Sequence, residues 1–189
     1  MITQGMAVLI DYGTHLTPGL LLFGVWFALT PRSMTAMRIL ILLAAFVLMR
    51  DAMTPLRMWS ISDDVQIAFT ANAFVLAALG GLSLLLVAGL AWVAPDLSRL
   101  VLWSKGNCAV GLATGLAVGC LIGVPLRLYQ GVDTQAIHDY WVWLPGMVVL
   151  AYGANALEEV LFRGYLQGYL EQQLTPLRAA LISGVAFAA

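Results

Sequence analysis

Three side chains near the C-terminus have the types and spacing to do chemistry: the adjacent acids Glu158 and Glu159, and Arg163 four residues after the second. On an α-helix, Asn155, Glu159 and Arg163 fall on one line with Tyr152 close to it, because side chains four apart stack on the same face. Glu158 is turned about 100° from Glu159, so the two carboxylates are expected to divide the work. Glu159 is placed to pair with Arg163, which cancels part of its charge. Glu158 lacks such a partner on its own helix and faces whatever packs beside it, where a free carboxylate can act as a general base on water. A Glu–Arg pair four residues apart is, taken alone, more often a neutralised anchor where a helix leaves a membrane. A second, unpaired acid has no use in an anchor, and spacing by itself leaves the two readings evenly balanced.

The weight of that argument depends on where these acids sit, and composition addresses it. The 189 residues are 61% hydrophobic and 10% charged, with mean hydropathy +0.90. A soluble domain carries about 25% charged residues, because a water-facing surface must be covered with something polar. The chain therefore reads as an integral membrane protein of all-α class, a polytopic bundle forming a single transmembrane domain over residues 1–189. Ionisable groups inside hydrocarbon are costly and are functional or tightly paired. With a net charge of −1, there is no basic surface to hold nucleic acid by counterion release, so that class of partner is set aside. The expected partners are the lipid bilayer and a protein or peptide substrate.

A spanning helix needs about 20 mostly apolar residues, so charge-free stretches locate the crossings. Tyr12–Pro31, best from Leu16, is the first. Met1 to Asp11 carries no Lys or Arg, unlike the positive start of a cleaved signal peptide, so this segment is expected to be retained. Ile39–Met49 is short and spans if residues 33–37 join it and Arg38 snorkels to the interface. Val65–Pro95, Gly106–Leu126 and Tyr140–Leu157 follow, and Leu177–Ala189 begins a sixth. A helix starting near Pro145 sets Glu158 about 20 Å along its axis at 1.5 Å per residue, past the middle of the bilayer. With the N-terminus outside, Arg32, Arg38, Arg99, Lys105, Arg163 and Arg178 fall on or near the cytoplasmic side, and Arg50, Arg57 and Arg127 opposite. Short loops without appended domains suit a bacterial inner membrane.

Gly111, Gly115, Gly119 and Gly123 line one face of the fourth crossing, where a neighbouring backbone is expected to approach closely. Cys108 and Cys120 form no CxxC pair and read as small packing residues. His15 and His138 start from the membrane side opposite the glutamates and read as loop or interface residues, with Asp139 ahead of a helix start.

Residues 158–168, EEVLFRGYLQG, resemble the first signature, EExxxR, of the CAAX protease and bacteriocin-processing (Abi) family of intramembrane proteases. The agreement runs past the core triplet into Gly164-Tyr165-Leu166. A second family signature, FxxxH, lies one helix later, and Phe187 stands where it would begin; the family-like core is expected to begin at about residue 140. The resemblance implies that Glu158 is the base activating the hydrolytic water and that Glu159 and Arg163 support it. It implies further that a histidine of the second signature helps hold the water and that a later His/Asn pair stabilises the oxyanion. These last residues fall beyond Ala189, so the 189-residue chain by itself is expected to be inactive and a version extended through them active. Prenylated C-terminal motifs, processed peptides and sorting signals are the implied substrates. The cofactor stays open: a divalent metal such as zinc is compatible with the chemistry, but the residues present do not make its site.

Two other functions compete. A non-catalytic membrane immunity or interaction protein would keep the Glu/Arg helix for binding, and a transporter subunit would line a polar path with Asn155, Glu158, Glu159 and Arg163. Against the second stand the few intramembrane charges and the lack of a detectable inverted repeat.

Overall fold

The computed structural model describes residues 2–52, 59–61, 67–69, 73–101, 107–130 and 134–188. The chain is helical: α1 (Ile2–Leu29), α2 (Thr35–Asp51), α3 (Ala73–Val93), the short α4 (Pro95–Ser98), α5 (Cys108–Gln130), α6 (Thr134–Glu158), a π-helical segment over Glu159–Gln167, α7 (Gly168–Leu170) and α8 (Pro176–Ala188). Residues 1–101 and 143–189 form one compact unit, and residues 102–142 a second.

Several expected boundaries move. The first crossing is part of a longer helix that takes in Asp11 and His15, and its apolar stretch runs from Gly5 to Leu29. His15 lies one turn after Asp11, its Nδ1 2.8 Å from the Asp11 carbonyl. The stretch read as Val65–Pro95 is divided. Ile67–Phe69 pairs antiparallel with Trp59–Ile61 in a small hairpin, in register Trp59 to Phe69, and the helix begins only at Ala73. Both strands alternate large apolar with small residues, the pattern a pleated ribbon accepts. Helix α6 does not start at Pro145 but at Thr134, and passes through that proline. His138 and Asp139 are therefore on the helix rather than in a loop ahead of it, and their side chains lie outside the described residues.

Among the described residues two helices, Gly5–Leu29 and Ala73–Val93, are long and apolar enough to cross a membrane, while Ala109–Leu121 and Pro176–Ala188 are shorter apolar helices. Their outer faces carry Leu21, Leu22, Leu29, Leu85, Trp92, Leu177 and Val185, all more than 60% exposed. An exterior this apolar marks an interaction surface rather than a water-facing one.

Within the unit of residues 1–101 and 143–189, close helix approach at glycines occurs between α3 and α6. A Cβ added at Gly111, Gly115 or Gly119 would meet nothing within 4 Å, and Cys120 is exposed rather than packed. Gly123 and the side chain of Cys108 lie outside the described residues. The tight contacts join α3 to α6. A Cβ at Gly80 would overlap the backbone of Val149 and Leu150, one at Gly153 would overlap the Gly80 carbonyl, and one at Gly146 would stand 2.6 Å from the Ala73 oxygen. Both series ascend together, so α3 and α6 run parallel with a constant offset of 73 residues (73 to 146, 80 to 153). Glycine every fourth residue permits close approach but does not compel it.

The main core gathers Phe27, Ile39, Ile41, Phe46, Ala94 and Leu97 around Leu157, Val160, Leu161, Phe162 and Tyr165 of the α6–π stretch. A smaller cluster joins Tyr12 and Leu16 to Val75 and Leu79, and the Tyr12 hydroxyl donates to the Met49 carbonyl at 2.8 Å. Arg38 does not snorkel. It is 4% exposed, paired with Asp96, and its guanidinium lies 4.4 Å from the Phe27 ring centroid. Asp96, in the first turn after Pro95, brings the countercharge to Arg38, so the arginine has no need to reach an interface.

Candidate active site

The helix carrying the acids changes pitch at the acids themselves. Glu158 is the last residue of α6 and Glu159 the first of the π-helical turns, whose hydrogen bonds run i to i+5. Such wide turns are rare and frequently sit at functional sites. The segment is sharply two-faced: Val160, Leu161, Phe162, Gly164 and Tyr165 are buried, while Glu159 and Arg163 point outward.

Tight contacts fix the buried face. A Cβ at Gly164 would come within 2.7 Å of Val101 Cγ2, and one at Gly168 within 2.6 Å of the Leu100 carbonyl oxygen. The glycine after Arg163 is thus needed so that the chain following α4 can lie against the π turns. Tyr165 is 1% exposed, with its hydroxyl 3.5 Å from Ser98 Oγ. Phe162 is held edge-on between Phe46, at 5.8 Å, and Phe187, at 5.4 Å between ring centroids.

Between the π turns and α8 lies a cavity of about 300 Å³. Glu158, Glu159, Phe162, Arg163 and Gln167 line one wall, and Ala180, Ser183, Gly184 and Phe187 the other. The two carboxylates, 100° apart on a regular helix, therefore border one space. Arg163 Nη1 lies 3.2 Å from Glu159 Oε2, with both side chains more than half exposed. Glu158 is half-buried and makes no direct ion pair with the described residues. Asn155 is not drawn into the group, because its amide donates back to the Ala151 carbonyl at 2.7 Å, and Tyr152 is 70% exposed.

Arg50 lies at the end of α2, one turn beyond Phe46, whose ring meets Phe162. Two features of the site escaped sequence reasoning. Ser183, 2% exposed, donates its hydroxyl to the Phe162 carbonyl at 2.8 Å; a lone serine in an apolar helix carries no signal of its own. Gly184 leaves open space beside it, since an added Cβ would meet nothing within 4 Å.

The alignment with α3 sets the height of the acids. Glu158 is five residues past Gly153, which abuts Gly80, and α3 continues from Gly80 to Val93. At about 1.5 Å per residue, Glu158 is level with the middle of a helix long enough to cross a bilayer.

Residues 140–189 match the family model for the type II CAAX prenyl endopeptidase Rce1-like family. The matched stretch holds both walls of the cavity, and its family is the one that EEVLFRGYLQG resembles. It spans about a quarter of the chain. No curated protein and no solved structure matches the chain. The family that this stretch matches is one of endopeptidases, which implies a peptide substrate and a membrane setting for that family. It also raises the question of a metal. Among the described residues no three His, Cys, Asp or Glu side chains converge, and the cavity's two carboxylates fall short of the three protein ligands that a catalytic zinc takes. The described residues alone do not make such a site.

Proposed function

We propose that the chain carries the general base and one supporting wall of an intramembrane endopeptidase of the CAAX type. Glu158 takes a proton from water, the resulting hydroxide adds to the scissile carbonyl, and the proton passes to the departing amine. Glu159, tied to Arg163, is a neutralised neighbour that shapes the site without competing for that proton. The observation that carries this reading is the shared cavity. It places the half-buried acid, its paired neighbour and Phe187, the residue standing where the second signature begins, around one space. A peptide ending in a prenylated cysteine motif is the substrate class that the family name supports.

The surrounding architecture we propose is a bundle of about five crossings with α8 opening a sixth, the N-terminus outside, in a bacterial inner membrane. The apolar exteriors of α1 and α3 and the mid-height level of Glu158 support it.

The test is cleavage of a prenylated C-terminal peptide by protein expressed from the complete reading frame and reconstituted in lipid. Replacing Glu158 by Gln is expected to reduce kcat by about 10²–10⁴-fold, the usual contribution of a positioned base. Undiminished turnover would remove Glu158 from that role.

A further inference from the structure

Helix α2 runs antiparallel to the α6–π stretch. The Phe46 ring meets Phe162, and nearer the start of α2, Arg38 pairs with Asp96 two residues from Ser98, whose hydroxyl neighbours Tyr165. Advancing one turn along α2 from Phe46 reaches Arg50, and retreating one turn from Phe162 reaches Glu158. The register thus sets Arg50, on the exposed side of α2, at the level of Glu158, each one turn from the paired rings. Among the described residues Arg50 forms no direct ion pair, and it does not line the cavity. Arg50 belongs to α2, whereas the second wall of the cavity comes from α8.

We propose that Arg50 is the positioning cation of Glu158, a cross-helix partner that stabilises the carboxylate from behind while leaving its oxygens free towards the cavity. Each acid then has its own guanidinium. Arg163 touches Glu159 and occupies it; Arg50 stands off from Glu158 and leaves it available. The contrast follows from chemistry, since a carboxylate bound directly by an arginine spends its lone pairs on that contact, whereas a base must keep one for water. An arginine held at a distance still offsets the cost of a bare charge in a poorly solvated site, because attraction in such surroundings is weakly screened. The inference rests on the proposed role of Glu158 as base in its catalytic consequence, though not in the pairing itself.

A thermal double-mutant cycle on the full-length protein in lipid nanodiscs separates the two. Arg50→Gln is expected to lower Tm when Glu158 is present and to have little effect in the Glu158→Gln background. Failure of Arg50→Gln to fold with Glu158 present, relieved by Glu158→Gln, has the same meaning. An equal loss in both backgrounds, or failure to fold in both, overturns the pairing. In the cleavage assay, Arg50→Gln is expected to reduce kcat by about tenfold, equivalent to about 1.4 kcal/mol, with KM unchanged and most of the rate restored by Arg50→Lys. A rise in KM at constant kcat overturns the positioning role. Coupling in the melts without any cleavage by the wild type leaves the pair standing and removes the base assignment.

Discussion

Ser183 donates its hydroxyl to the carbonyl of Phe162 across 2.8 Å, joining α8 to the π turns from 21 residues away. The bond stands at the back of the cavity that holds Glu158, and it meets a carbonyl in a stretch where the helix has departed from regular i to i+4 bonding. A buried acceptor left without a donor costs about 1–3 kcal/mol. Ser183→Ala is therefore expected to lower stability by that amount and to reduce cleavage by loosening α8. Ser183→Thr, which keeps the hydroxyl, is expected to lose less. Thermal melts with parallel turnover measurements check both, and equal behaviour of the two variants would contradict the role given to the hydroxyl.

The two acids should separate in kinetics. Glu159→Gln removes a charge already engaged by Arg163, so its effect on kcat is expected to be about tenfold or less. Glu158→Gln should cost at least about a hundredfold. Steady-state rates on one peptide, measured side by side, decide it. A larger loss at 159 would reverse the assignment.

Buried Arg38 pairs with partly buried Asp96, and among the described residues Arg38 Nε and Asp96 Oδ1 have no hydrogen-bond partner. Removing one member of a buried pair typically costs about 3–5 kcal/mol, because the other charge is left uncompensated. Asp96→Ala should thus be severely destabilising. The double variant Arg38→Met/Asp96→Leu should recover most of the loss, and unfolding in mild detergent reads the difference.

Glycine substitutions should divide by location. Ala at Gly80 or Gly153 drives a methyl into the facing backbone and should destabilise the α3–α6 contact. Ala at Gly111 or Gly115 meets open space and should be neutral or stabilising by up to about 1 kcal/mol, from reduced backbone freedom. Similar losses at all four positions would contradict the packing described.

The residues of one wall of the candidate site stand together in eleven positions of the sequence. EEVLFRGYLQG announced its acids and its arginine because hydrocarbon admits ionisable side chains only for a reason. The surroundings were harder to read. The α5 glycines carried the stronger periodicity, yet Gly80, Gly146 and Gly153, scattered over two helices, make the contact. Periodicity records what a face permits; the partner that uses it is fixed by tertiary packing. Pro145 was read as a helix start, but a helix can accommodate a proline where neighbours resatisfy the freed backbone groups.

The parallel seam between α3 and α6 also has a consequence for biosynthesis. Hairpin neighbours such as α1 and α2 can dock as soon as the second leaves the ribosome. Gly80 must wait for Gly153, so α3 emerges with its glycine groove unfilled while the next 73 residues are still being translated, and the closure entropy of that long segment must be met before the groove is covered. The α3–α6 seam therefore closes only after the segment between its two helices has been made.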